Sequence, residues 1–120
     1  MHILKIVVAF IACLLPLATA AQAERLLTGS EVLLLLSDAT LTSNKDDKKI
    51  AQIFQKGGMT LYIENGAQSQ GLWKIEGDKY CSQWPPNENW SCFAMTRDGS
   101  TIIFNSANGT RYLFDLPPAN

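Results

Sequence analysis

The sequence predicts a mainly β domain: an antiparallel meander of about seven strands that forms a small barrel or a strongly curved sheet, with one N-terminal helix packed on it. From residue 50 onward, short apolar segments alternate with pairs of turn-forming residues at nearly regular intervals. Such pairs reach the positive φ angles that tight hairpins need. Some segments are apolar on both faces, which indicates strands that are buried on both faces, as in a barrel with a helix laid over one side. A chain of 120 residues has room for one such domain.

Residues 1–23 have the layout of a secretory signal peptide, with Lys5, an apolar run over 6–17 and then small residues. Cleavage after Ala23 leaves one β-rich domain over 24–120, and cleavage after Ala20 is the alternative. The run is shorter than the ~20 residues that cross a bilayer as a helix, so no stable membrane insertion is expected after cleavage. The predicted location is periplasmic or secreted, in a bacterium.

The cysteines refine this prediction. Cys13 follows a segment that loosely matches a lipobox, so a lipoprotein is the weaker alternative to loss of Cys13 with the leader. Cys81 and Cys92 then remain, and an even count in a small exported chain indicates a disulfide. No metal site is expected, because the pair lacks Cys-x-x-Cys spacing and the only histidine, His2, lies in the leader.

The domain begins with a helix predicted over residues 26–36, where Thr28 and Glu31 have the spacing of a capping box. This helix is apolar on most sides and should be covered on most of them, as a plug at one end or face of the sheet. A strand stays open as the alternative for its leucine run. The polar segment 37–49 is predicted to be a solvated loop.

Strands follow, separated by glycine-containing turns. The apolar segments are 50–55, 59–64, 72–76, 79–84, 90–96, 101–105 and 110–116. A two-residue loop at Gly77-Asp78 would pair Trp73 with Ser82, Ile75 with Tyr80 and Glu76 with Lys79, a register that cross-strand energetics favour. A two-residue loop at Asn108-Gly109 would pair Phe104 with Leu113 and Ile103 with Phe114. The prolines after Leu116 end the sheet.

The composition excludes several functions. Without its leader the chain has nine Lys and Arg against eleven Asp and Glu, a net charge of −2. This balance gives no electrostatic reason to expect nucleic acid or an anionic membrane as a partner. Without a histidine, the domain cannot build a triad, zinc site or haem site that uses imidazole. No cofactor and no catalytic residue is assigned.

The segment between the two cysteines supplies the candidate ligand-binding residues Trp84, Asn87, Glu88 and Trp90. Two tryptophans flank a stiff Pro-Pro turn beside polar side chains, a combination suited to sugar stacking or a protein contact. The alternative is that both tryptophans fold over the disulfide as a structural cap. A carboxylate-based hydrolase would need two acids at a set separation, and Glu88, Asp78 and Asp98 are the available groups.

The carboxyl half also resembles a known family. Gly71-Leu72-Trp73, Tyr80-Cys81 with Trp84, Cys92 and Asp98-Gly99 form a Gly-x-Trp, Tyr-Cys-x-x-Trp, Cys core. It is similar to that of a family of small secreted proteobacterial proteins of unknown function, over residues 71–120. The resemblance implies an exported β domain with a disulfide and transfers no activity or site residue.

We therefore expect an exported, non-enzymatic binding or interaction module. Its partner would be an unknown small ligand, a glycan or an envelope protein that contacts the loop of Trp84 and Trp90 or the mouth of the barrel. The alternatives are a carboxylate-based hydrolase of cell-wall glycan and a structural envelope factor. The last of these predicts no cavity above a few hundred Å³.

Overall fold

The computed structural model describes residues 9–10, 12–14 and 23–118, and the fold lies in the last of these ranges. The signal-peptide prediction falls mainly on residues outside the described ones. Within 23–118 the elements are β1 (Arg25–Leu26), α1 (Gly29–Leu36), β2 (Ala39–Lys45), β3 (Lys48–Phe54), β4 (Met59–Glu64), β5 (Ala67–Glu76), β6 (Lys79–Gln83), β7 (Ser91–Asp98), β8 (Thr101–Ser106) and β9 (Arg111–Asp115).

The eight strands from β2 to β9 form a closed antiparallel barrel, which confirms the predicted fold class. Each strand pairs with the next along the chain, and β9 returns to β2. The closing contact is thin, since Thr42 and Asp115 are its one registered residue pair among the described residues. β1 extends the sheet by pairing with the end of β7 that β6 leaves free.

The prediction of a solvated loop over 37–49 was wrong, because β2 and the start of β3 occupy this segment. Asp46 and Asp47 take positive φ angles and form the turn between the two strands. β2 places only Leu41 in the core, and the rest of the strand is partly or fully exposed. Such a strand carries too few apolar residues to produce an alternating pattern.

The register predicted around Gly77-Asp78 is confirmed, with all three residue pairs as expected. The register around Asn108-Gly109 was wrong by one residue, since Phe104 lies opposite Tyr112 and Ile103 opposite Leu113. The turn contains three residues rather than two, and Gly109 in the left-handed region closes it with φ +90°. A type I turn followed by a left-handed residue is the usual three-residue hairpin.

The capping box of α1 is confirmed: Thr28 Oγ1 accepts from the Glu31 amide, and the Glu31 carboxylate accepts from the Thr28 amide. Hydrogen bonds from Arg25 and then from the Thr28 backbone hold the pKa of Glu31 below its usual range. The helix nonetheless begins three residues later than predicted, at Gly29. A side chain there would collide with Gly77 O, 2.1 Å from an added Cβ.

α1 covers one end of the barrel, where it contacts β2, β5 and β6. Val32 and Leu36, one helical turn apart, are fully buried in the core. The expectation that the helix is covered on most sides was wrong, because Leu33 and Leu34 are 49% and 83% exposed. An eight-residue helix lying on a barrel end turns only one face toward it.

The predicted disulfide joins Cys81 and Cys92, which lie directly opposite each other on β6 and β7. Cys13, in the described segment 12–14, is an exposed free cysteine. No helix within 9–10, 12–14 and 23–118 has the length and apolar character needed to cross a bilayer.

Candidate functional site

The barrel end opposite α1 is open and contains a cavity of about 690 Å³. The closed half is filled by core residues that include Leu41, Phe54, Trp73 and Met95, each at most 5% exposed. The open half is lined by inward-facing residues further along the same strands. Because alternate strand residues point to the same face, the sequence continues the core into the cavity wall.

Aromatic rings dominate this wall. They are Tyr62, Tyr80, Trp84, Phe93, Phe104, Tyr112 and Phe114. Several pack edge to face with centroids about 5 to 6 Å apart, including Phe93 against Tyr112 and Tyr80 against Phe104. This arrangement is the one that aromatic quadrupoles prefer. It keeps the rings ordered, and they present flat apolar surfaces to the cavity.

The floor of the cavity is polar. Gln52, only 6% exposed, donates from Nε2 to Thr60 Oγ1 at 3.1 Å and to the Tyr80 hydroxyl at 3.3 Å. Thr60 in turn donates to the Ile53 carbonyl at 2.9 Å. Burial raises the pKa of the Tyr80 hydroxyl well above its usual range. Tyr80 is therefore a neutral hydrogen-bonding group at physiological pH.

Trp84 forms one side of the cavity, and its position depends on Gly71. An added Cβ at Gly71 would lie 2.7 Å from the Trp84 ring and from Gln83 O. The indole nitrogen donates to Ser82 Oγ at 3.2 Å, and the ring meets Tyr62 edge to face at 6.1 Å. Burial also raises the pKa of Tyr62, with the nearby Glu64 charge as a second cause.

The charged residues at the cavity are both basic. Lys45 and Arg111 contribute to its lining, which contains no Asp or Glu among the described residues. Arg111 forms an ion pair with Glu24. Lys45 has no ion-pair partner within 23–118, whereas neighbouring Lys48 pairs with Glu64 at 3.3 Å. The rim of the cavity therefore has one uncompensated cation.

The structure separates the four ligand-binding candidates predicted from sequence. Trp84 lines the cavity, but Trp90 lies on the outside of the barrel, where the Lys74 ammonium is 4.2 Å from its ring centroid. Asn87 and Glu88 are exposed. The Asn87 side chain accepts from the Asn89 amide, and the Glu88 carbonyl accepts from Gln83. Of the four residues, only Trp84 lines the cavity.

The three carboxylates that a hydrolase would use lie outside the cavity. Asp78, Glu88 and Asp98 are exposed, and none lines the cavity. Asp78 instead accepts from the Gly29 amide at 2.8 Å, at the first turn of α1. A carboxylate there is stabilised by the free amides and the dipole of the helix.

Three side chains of metal-binding types lie close together among the described residues. The Glu76 carboxylate and the sulfurs of Cys81 and Cys92 lie within 4.8 Å of one another. Both sulfurs are joined in the disulfide, so neither is a thiolate that could bind a metal.

Sequence reasoning missed most of the cavity. The residues that it did not assign to a site include Lys45, Gln52, Tyr62 and Tyr112. The signal available in the sequence was the two-residue spacing of a strand. Gln52 follows Ile50 by two residues, and Tyr62 follows Thr60 by two, which places each pair on one face of its strand. Identifying the shared cavity also requires the order and curvature of the strands.

Comparison with known protein families, with curated proteins and with solved structures finds no match to this chain.

Proposed function

We propose that this protein is an exported, non-enzymatic binding domain that takes up a small, ring-bearing, largely apolar molecule in the open end of its barrel. The observation that carries the proposal is the cavity of about 690 Å³ with seven aromatic side chains in its wall. Ligand sites of about 300 to 1,000 Å³, mostly apolar with a few polar groups, are typical of small-molecule binding.

The cavity favours binding over a structural envelope role. A domain selected only for stability would gain from filling this space, since each missing contact in a core costs free energy. Here the aromatic wall continues to the open rim, where Tyr112 is 49% exposed. The exposed rings remain in water at a cost that ligand binding would offset.

Export is the second part of the proposal. Its support is the leader-like residues 1–23 and the Cys81–Cys92 disulfide, which persists in oxidising compartments such as the periplasm. The resemblance of residues 71–120 to small secreted proteobacterial proteins supports the same proposal. Mass spectrometry of the protein from periplasm and medium under nonreducing conditions would test leader removal and the disulfide together.

The binding proposal is tested with N-phenyl-1-naphthylamine, a neutral dye whose emission rises in apolar surroundings. The oxidised protein should bind it at one site. Ser43→Phe, whose new ring would enter the cavity from β2, should weaken binding by about tenfold or more, which corresponds to about 1.4 kcal/mol.

Asn44→Phe is the matched control, because Asn44 is the neighbouring residue on the outward face of β2 and lies outside the registered β2–β9 pair. It should leave the dissociation constant within about twofold of the unaltered protein, a range typical of surface substitutions. Far-UV circular dichroism would verify that both variants fold. Absence of dye binding, or equal weakening in the two variants, would refute a ligand site in the cavity.

A further inference from the structure

Two polar groups at opposite ends of the cavity restrict the chemistry of its ligand, an inference that rests on the proposed function. We propose that the cavity selects an elongated aromatic anion that has a hydrogen-bond donor at the end remote from its negative charge. The donor meets Gln52 Oε1 on the floor, and the anion meets the Lys45 ammonium at the rim. The ring between them lies against the aromatic wall.

The floor has an acceptor without a partner. Gln52 uses both Nε2 hydrogens, on Thr60 and Tyr80, while no donor within 23–118 reaches its Oε1 atom. No side-chain nitrogen or oxygen of the described residues is both fully enclosed and without a partner. Oε1 is therefore accessible to the cavity that Gln52 lines. A buried amide oxygen of this kind gains from a ligand donor.

The orientation of the Gln52 amide follows from its neighbours. The Thr60 hydroxyl has one hydrogen, which it donates to the Ile53 carbonyl. Thr60 can then only accept from Gln52, so the amide must turn its NH₂ group toward Thr60. The opposite orientation would place two acceptors against each other. Oε1 is consequently the free atom, and the ligand atom that meets it must be a donor.

The rim supplies the opposite chemistry. Lys45 lies on the same face of β2 as the buried Leu41, four residues further toward the open end. The turn residues Asp46 and Asp47 lie beyond it and do not line the cavity. A negative charge on the ligand is therefore favoured close to this exposed ammonium, with the modest free energy of a surface ion pair.

The two groups set the length of the ligand. Gln52 lies opposite Leu41, and Lys45 is four residues further along β2. A strand rises about 3.3 Å per residue, so the backbones of Gln52 and Lys45 are separated by roughly 13 Å along the barrel wall. The lysine side chain can shorten this separation by reaching inward. A rigid bicyclic ring with a donor at one end and a carboxylate at the other fits this separation.

The test uses 6-hydroxy-2-naphthoate, measured by displacement of N-phenyl-1-naphthylamine from the oxidised protein. It is compared with 6-methoxy-2-naphthoate, which lacks the donor, and with methyl 6-hydroxy-2-naphthoate, which lacks the charge. We expect the hydroxy acid to bind about tenfold tighter than the methoxy analogue, which lacks the hydrogen bond to the buried Gln52. It should bind about threefold tighter than the ester, which lacks the ion pair with the exposed Lys45. These comparisons use the unaltered protein and do not depend on how any variant folds.

Variants then assign the two preferences. Lys45→Met should abolish the preference for the acid over its ester, and Lys49→Met, on the outer face of β3, should keep it. Gln52→Met should abolish the preference for hydroxyl over methoxy. Equal binding of acid and ester, a preference unaffected by Lys45→Met, or no binding of the naphthoate would overturn the inference. If the neutral dye still binds in these cases, the proposed function stands; loss of dye binding itself would remove both.

Discussion

Single glycines permit close contacts at both ends of the barrel. Gly71 leaves room for the Trp84 ring, and Gly29 lets α1 approach Gly77 O more closely than any side chain would allow. Gly57, by contrast, has no atom within 4 Å of an added Cβ. Gly71, the glycine of the Gly-x-Trp motif, is thus explained by packing, since it leaves space for the indole ring of Trp84 inside the barrel.

Tyr80 should make the domain less stable at alkaline pH. Burial raises the pKa of its hydroxyl in the folded state, so the folded state keeps the proton that the unfolded chain loses above pH ~10. The free energy of unfolding should therefore be unaffected by this group below pH ~10 and fall above it, by up to about 1.4 kcal/mol per pH unit. Urea unfolding from pH 8 to 11 would measure the decline.

Two substitutions distinguish the contribution of Tyr80 from other causes of instability at alkaline pH. Tyr80→Phe should be less stable at pH 8 but lose stability less steeply above pH ~10, because it removes the coupled proton. Tyr112→Phe, at a half-exposed tyrosine of the cavity rim, should keep the steep decline. The same slope in Tyr80→Phe and in the unaltered protein would rule out this coupling.

At the level of elements, the disulfide fixes β6 to β7 at the base of the loop that contains Trp84. Cys81 is fully buried, and its partner lies directly across the strand pair. Closing a loop of this length is worth about 3 kcal/mol in the chain-entropy treatment. The double variant Cys81→Ala, Cys92→Ala should lose about that much free energy of unfolding in urea titrations.

Reductant provides the control for this measurement. It should lower the unfolding midpoint of the unaltered domain and leave that of the alanine variant unchanged. A domain with the same midpoint in the presence and absence of reductant would contradict a stabilising role of the disulfide.

For the whole molecule, the seam between β2 and β9 is the weakest part of the barrel wall. Thr42 opposite Asp115 is its one registered pair within 23–118, whereas β4 and β5 share six. Local opening requires the least free energy where backbone hydrogen bonds are few. We expect amides of residues 43–45 and 111–114 to exchange with deuterium faster than those of β4 and β5.

Hydrogen exchange followed by mass spectrometry would check this, with the β4–β5 segment as the internal reference. A bound ligand should slow exchange at the seam, because Ser43, Lys45 and Tyr112 line the cavity beside it. Uniform protection around the barrel would contradict a weak seam.

Much of this architecture could be predicted because it depends on neighbours along the chain. The capping box of α1 and the β5–β6 register each involve residues a few positions apart, and both were correct. The errors arose where local signals were weak or ambiguous. β2 has a single core residue, and the Asn108-Gly109 turn is compatible with two loop lengths that differ by one residue in register.

The sequence by itself determined a meander of hairpins, a capped helix and one cysteine pair, because turn geometry and strand alternation act over short stretches of chain. Tertiary structure alone decided which side chains share the cavity. Gln52 donates a hydrogen bond to Tyr80, which is 28 residues away in the sequence. The Asp78 carboxylate accepts one from the amide of Gly29, which lies 49 residues earlier at the start of α1. Such contacts depend on how the sheet curves and closes, which is a property of all eight strands together.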